Sequence, residues 1–148
     1  MTGWKEVVTA TEILEQYLED TPIKVVSLWG GVGKNRVSQL QSQILCGTDI
    51  LVCTLGLFLR LINKGGDEEL QGFDLLSHCY HLIFDDADEI LEVNSEGVRT
   101  LLGEWFKSRS KAENGNFCQQ VIVTAKSFTS RISELAEFLD TKLHFSVR

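Results

Sequence analysis

Four acidic side chains fall within five residues at Asp85-Asp86-Ala87-Asp88-Glu89, and Glu92 and Glu96 follow with no base among them. They come directly after the apolar run His81-Leu82-Ile83-Phe84. Carboxylates at the end of such a run have two uses. A hard divalent cation takes oxygen ligands of this kind, and a magnesium–nucleotide complex needs at least one. Acids also favour a helix N-terminus, so the same residues read as a solvated strand end that caps the next helix. Both readings stand on pattern alone.

A second stretch, Gly30-Gly31-Val32-Gly33-Lys34, has the look of a phosphate-binding loop. The full motif requires a glycine five residues before the Gly-Lys pair and a Ser or Thr after the lysine. Leu28 and Asn35 occupy those places, so the magnesium-binding hydroxyl is missing and a glycine turn between strand and helix is the better reading. His78, Cys79 and His81 resemble a ligand cluster, but alternation along a strand sends His78 to the face opposite Cys79 and His81. The four cysteines, Cys46, Cys53, Cys79 and Cys118, form no Cys-x-x-Cys pair, and Cys53, Cys79 and Cys118, in or beside apolar runs, read as buried free thiols of a reducing compartment.

The elements that must position these residues alternate strand and helix. Residues 5–9 are expected as a strand and 11–19 as a helix, with Ile13, Leu14, Tyr17 and Leu18 on one face before Pro22. Strands are expected at 24–29, 49–54, 81–85, 120–125 and 142–147. Helices are expected at 35–46 (Val37, Leu40, Ile44, Leu45), at 57–63 after Gly56, along the stripe Val98, Leu101, Leu102, Trp105, Phe106, and at 129–139 (Ile132, Leu135, Ala136, Leu139). Polar loops are expected at 64–72 and 107–117, the second holding Lys107, Arg109 and Lys111. Short apolar strands separated by helices imply an α/β fold with a mostly parallel sheet and helices on both faces. Ligands of such sheets sit beyond the carboxyl ends of the strands, where Asp85 and Asp86 stand.

The chain has 148 residues, 43% hydrophobic and 24% charged, which suits one domain with its own core and argues against disorder. Fourteen basic against 21 acidic residues give a net charge of −7, which speaks against strong autonomous nucleic-acid binding. The longest apolar runs are too short to cross a bilayer, and no basic, apolar leader opens the chain, so no membrane association is expected.

In this order the pieces resemble the first RecA-like domain of DEAD-box RNA helicases, from about residue 5 to the end. Asp85-Asp86-Ala87-Asp88 resembles motif II, the Asp-Glu-Ala-Asp box. Gly30-Gly31 resembles the family's glycine doublet, and Thr54-Leu55-Gly56-Leu57 its Thr-Pro-Gly-Arg segment. Thr124-Ala125-Lys126 stands for Ser-Ala-Thr of motif III, and Thr9 to Leu14, at the expected strand–helix junction, for motif Ia. The resemblance implies a RecA-like fold, with Asp85 the magnesium-associated carboxylate and Asp86, Thr124 and Lys126 at catalytic positions. It places RNA contacts at Gly30, Gly31, Thr54, Gly56 and Glu12. ATP and magnesium are the family's cofactors.

The departures shape the expected function. The Q motif and phosphate loop have no counterpart, so the sheet is expected to lack the phosphate-loop strand. Without it, the last strand pairs with 120–125, another chain fills the gap, or the chain is a piece of a longer protein, which is favoured. Asp86 is one methylene shorter than the family's glutamate, a displacement that can cost about a hundredfold in rate. Lys126 replaces a threonine, and Thr11 and Leu57 replace phosphate-contacting arginines. These departures imply a module without its own ATPase activity and no cofactor of its own, a platform in an RNA-handling ribonucleoprotein. RNA contact is expected to be weak or indirect, with proteins of an RNA-processing complex and, in a longer protein, a second RecA-like domain as partners. Similar degenerate boxes in Tudor-domain proteins suggest the piRNA pathway and a cytoplasmic place that includes germline RNA granules. Two alternatives remain: a fragment of an active ATP-dependent RNA helicase, or a protein-binding α/β domain with no nucleic-acid role.

Overall fold

Helix comes first where the β-branched residues suggest strand. In the computed structural model, which describes residues 3–30, 42–44, 47–63, 76–110 and 120–139, one helix, α1, runs Trp4–Leu18 and absorbs the strand expected at 5–9. Val7, Thr11, Leu14 and Leu18 recur at helical spacing; Val7 and Thr11 are buried, and Leu14 and Leu18 are half-buried. Thr11 Oγ1 donates to Val7 O at 2.7 Å and satisfies itself in place. A weak helix propensity, about half a kcal/mol per β-branched residue, is easily outweighed by such a face. The inward face also differs from the expected one: Ile13 is exposed, and Tyr17 is 82% exposed.

The chain forms two compact units, 1–78 and 79–148. In the first, β1 (Val25–Leu28) pairs in parallel with β2 (Ile50–Cys53), in the register Val25↔Ile50 to Leu28↔Cys53. Lys24 N donates to Asp49 Oδ2 at 2.8 Å, and Asp49 N and Ile50 N both donate to Lys24 O, which fixes that register at its start. Val26, Leu28 and Ile44 form a core cluster against which Leu51, Cys53 and Leu57 pack. α1 lies against both strands. Helix α2 runs Leu55–Asn63, so Gly56 is inside the helix rather than before it.

In the second unit, β3 (His81–Phe84) pairs in parallel with β4 (Gln120–Val123), His81↔Gln120 through Phe84↔Val123. β3 is not buried on both sides as its apolar run suggested. Its residues alternate, with Phe84 buried and Ile83 63% exposed beside the exposed Ile122. Helix α3 spans Ala87–Ser110, so Lys107 and Arg109 belong to a helix and not to a loop; Lys107 pairs with Glu104 one turn back at 2.7 Å. The helix kinks at Asn94 (φ −154°, ψ 64°), whose Oδ1 accepts from Gly97 N at 2.9 Å and caps the segment that follows. Val98, Leu101, Leu102 and Trp105 are buried as expected, while Phe106 is exposed. Trp105 Nε1 donates to Cys79 O at 2.8 Å, so the largest core side chain leaves no polar atom unpaired. Helix α4 (Ser130–Phe138) packs on α3 and buries Ile132, Leu135 and Ala136.

The expected α/β class with parallel pairing is therefore present. The expectations for Gly31 to Lys34, the start of the 35–46 helix, Leu45, Cys46, the 64–72 loop, Lys111, Cys118 and the 142–147 strand lie outside the described residues.

Candidate functional site

Asp85 and Asp86 form the turn between β3 and α3. Asp86 has φ 52°, a left-handed backbone that aspartate tolerates better than most residues because its short polar side chain bonds locally. The turn is tied to the end of β4. Thr124 N donates to Phe84 O at 2.9 Å, Ala87 N to Thr124 O at 2.8 Å, and Asp86 N to Thr124 Oγ1 at 3.1 Å. The same hydroxyl donates to Asp85 Oδ1 at 2.6 Å. Two residues on, Lys126 Nζ lies 2.9 Å from Glu89 Oε1 and 3.5 Å from Asp86 Oδ1. Ser127 then donates to Asp88 Oδ2 from both its amide, at 3.1 Å, and its hydroxyl, at 3.0 Å.

Three residues of this segment, Thr124, Lys126 and Ser127, thus supply a donor to each of the four carboxylates of 85–89. Parallel pairing makes this possible, since it brings the carboxyl ends of β3 and β4, and the loops after them, to one side. The charges respond. Burial alone would raise the Asp88 pKa, but hydrogen bonds from the Ser127 side chain and amide, with the Lys126 and Glu89 amides, outweigh it and hold the carboxyl below its ordinary range. The Glu89 hydrogen bond, with the Asp86 and Glu89 charges, holds the Lys126 ammonium above its ordinary pKa.

As arranged, these residues do not fit a magnesium–nucleotide complex. Asp85 is engaged by Thr124, and an ammonium already sits on Asp86 and Glu89. No cluster of three or more His, Cys, Asp or Glu able to hold a metal ion occurs among the described residues. The His78, Cys79, His81 group is likewise no ligand set: the Cys79 thiol donates to His81 O at 3.2 Å.

The RNA-contact positions described lie in the first unit. Gly30 follows β1 and Thr54 follows β2, both past the carboxyl ends of paired strands, and Gly56 is in the first turn of α2. Gly31 lies outside the described residues. Glu12 is exposed in the middle of α1, because the segment 9–14 is helix and not a strand–helix junction. Thr11 is buried with its hydroxyl spent on Val7 O, and Leu57 packs on the Val26–Leu28 cluster, so neither offers a ligand contact. Sequence reasoning missed Arg60. It lies one turn beyond Leu57 on α2, donates from Nε to Gly56 O at 3.4 Å, and carries its guanidinium beside Gly30, where Nη2 is 3.9 Å from the position of a Cβ. Ser127 was missed as well, and its adjacency to Lys126 was the available signal.

No family model matches the chain. It is 28% identical over 135 residues to the ATP-dependent RNA helicase Ddx1 of Drosophila melanogaster, a match covering 90% of the chain and 16% of that protein. Among solved structures, the yeast DEAD-box splicing factor Prp28 superposes with a TM-score of 0.73 at 19% identity, covering 93% of the chain and 29% of that one. The fold is that of a RecA-like α/β domain. The resemblance to DEAD-box RNA helicases, first carried by the motifs, is borne out in sequence and in fold, and the chain spans under a third of either protein's length.

Proposed function

We propose that this chain is a non-catalytic RecA-like module, an interaction platform in an RNA-handling ribonucleoprotein, which contacts RNA weakly and does not hydrolyse ATP. The supporting observation is the acidic turn, whose carboxylates are answered by Thr124, Lys126 and Ser127 from within the chain. A turn tied to the neighbouring loop in this way needs no nucleotide to order it. Weak RNA contact falls to the rim of the first unit, where the Arg60 guanidinium adjoins Gly30 and takes up the cationic role absent at Leu57. Protein partners, including a second RecA-like domain in a longer protein, provide the remaining surface. A cytoplasmic location and a place in small-RNA silencing belong to the same reading and rest on the motif departures alone.

Calorimetric titration of magnesium–ATP into the chain tests this. No heat up to millimolar ATP is the expected result. Binding abolished by Asp85→Ala would favour the alternative, a fragment of an ATP-dependent RNA helicase. Titration of a single-stranded RNA at several salt concentrations tests the contact. Arg60→Ala should lower the salt slope by roughly 0.7, the share of one phosphate on a single strand. The absence of any RNA binding would leave the protein-binding alternative.

A further inference from the structure

We infer that the outer face of α1 docks an arginine-bearing peptide segment of a partner protein. The inference gives the platform reading a partner of stated chemistry, and rests on it for taking the chain as a protein-binding module. Val7 and Thr11 turn one side of α1 inward, while Ile13 is 48% exposed and Tyr17 almost wholly so. Glu6, Ile13 and Asp20 follow one another at steps of seven residues, and Tyr17 lies four beyond Ile13. Helical spacing lines these four exposed side chains along one stripe. The apolar pair is thus bracketed by carboxylates, Glu6 before it in the first turn and Asp20 just past the helix end. From Glu6 to Asp20 the stripe rises about 21 Å, the reach of roughly six extended residues. A short peptide with a cation near each end and a flat group over the middle matches that outline.

The charge of α1 names the partner. Residues 4–20 hold five acids, Glu6, Glu12, Glu15, Glu19 and Asp20, against one base, Lys5. Lys5 Nζ lies over the Trp4 ring, 5.8 Å from its centroid. Among the described residues none of the five acids has an ion pair, whereas Glu89, Glu92, Glu104 and Glu134 of the second unit each face a cation. Glu15, Glu19 and Asp20 also stand at the C-terminal end of the helix, whose last turn has no base. The helix dipole disfavours negative charge there, so folding gains nothing from these acids, and a bound cation relieves them. The same field repels phosphate, so the occupant is a cationic polypeptide and not RNA. Arginine suits the stripe better than lysine. Its planar guanidinium takes a carboxylate through two N–H groups and stacks on a tyrosine ring.

The test is fluorescence anisotropy of a labelled peptide of alternating arginine and alanine, titrated with the 148-residue chain, beside a peptide with lysine in place of arginine. The arginine peptide should bind, more weakly as salt rises, and several-fold more tightly than the lysine peptide. Tyr17→Ala should weaken it about two- to fivefold. Asp20→Asn should weaken it by about twofold or more. Both side chains are exposed, so neither change opens the core. Asp20→Asn should leave the melting temperature of the free chain unchanged or raised, which separates a docking role from a structural one. Glu137→Gln removes an exposed acid of the second unit and should leave binding as it is. No binding by the wild type overturns the inference. So do equal losses in Asp20→Asn and Glu137→Gln, an unchanged affinity in Tyr17→Ala, or equal affinity for the two peptides. Magnesium–ATP binding by the wild type would refute the platform reading and leave the peptide affinities to be judged by themselves.

Discussion

Thr124 carries two bonds on one oxygen, and Thr124→Val removes both with little change of shape. The hydroxyl accepts from Asp86 N at 3.1 Å and donates to Asp85 Oδ1 at 2.6 Å. A neutral hydrogen bond contributes about 1 kcal/mol net and one to a charged group about 1.5–3 kcal/mol. Thr124 is exposed, so water recovers part of this, and a net loss of about 1–2 kcal/mol is expected. The Asp86 amide also loses its anchor at a residue held at φ 52°, which places the cost toward the upper end. For a chain of this size the loss corresponds to roughly 2–8 °C in melting temperature. Urea unfolding followed by tryptophan fluorescence is the assay, in a Trp4→Phe, Trp29→Phe background so that the buried Trp105 of the same unit reports. Thr124→Ser keeps the oxygen and should stay within about 0.5 kcal/mol of the parent. Equal losses in Val and Ser, or a neutral Val, would refute the reasoning, because the effect would then not belong to the hydroxyl.

Gly97→Ala should change sign with its background. A Cβ there meets the Asn94 side chain, with Cγ at 2.7 Å, and displaces the cap on Gly97 N, so about 1 kcal/mol should be lost. In an Asn94→Ala chain the same change should instead gain up to about 1 kcal/mol from helix propensity, a cycle read by thermal unfolding. The pH dependence follows from the two displaced groups. The Lys126 pKa is raised above 10.5, so its contribution is complete below that pH and disappears as pH rises through the raised value; urea midpoints of wild type and Lys126→Met should converge there. The Asp88 pKa is lowered, so the advantage of wild type over Asp88→Asn should be complete above its ordinary pKa of 3.8 and fade as pH falls below it.

What could be read from the sequence was set by where the information is local. The strands at 25–28, 50–53 and 120–123 and the helix at 130–138 announce themselves by period and by flanking turn residues, and they are where the pattern put them. The helix at 4–18 does not. Val7, Val8 and Thr9 carry a strand-like propensity that is overridden by packing of a face whose members, Val7 and Thr11, straddle the expected boundary at residue 10. The extent of α3 was hidden for the opposite reason, since Lys107 and Arg109 look like loop charges until helical spacing to Glu104 is counted. At the site, motif II and motif III could be found separately. Their interdigitation could not, because the donor-to-carboxylate matching depends on parallel register, a long-range property. Arg60 was not legible because its approach to Gly30 joins α2 to the end of β1, a contact between residues 30 apart in the chain.

Charge placement within the second unit bears on the proposed RNA contact. Arg99 pairs with Glu134, Arg131 with Glu92, Lys107 with Glu104, and Lys126 with Asp86 and Glu89. Exposed pairs of this kind add little to stability, but they have a second effect. A phosphate approaching any of these cations must displace a carboxylate that the fold keeps beside it, and that carboxylate repels the phosphate in turn. The cation is then present in the composition and absent from the electrostatic footprint. Arg60 differs: among the described residues its partner is the neutral Gly56 carbonyl, engaged through Nε, and its Nη2 lies beside Gly30. A net charge of −7 therefore understates the contrast between these cations. On the proposed reading their partners, more than their number, would direct a weak phosphate contact to the β1–β2 rim.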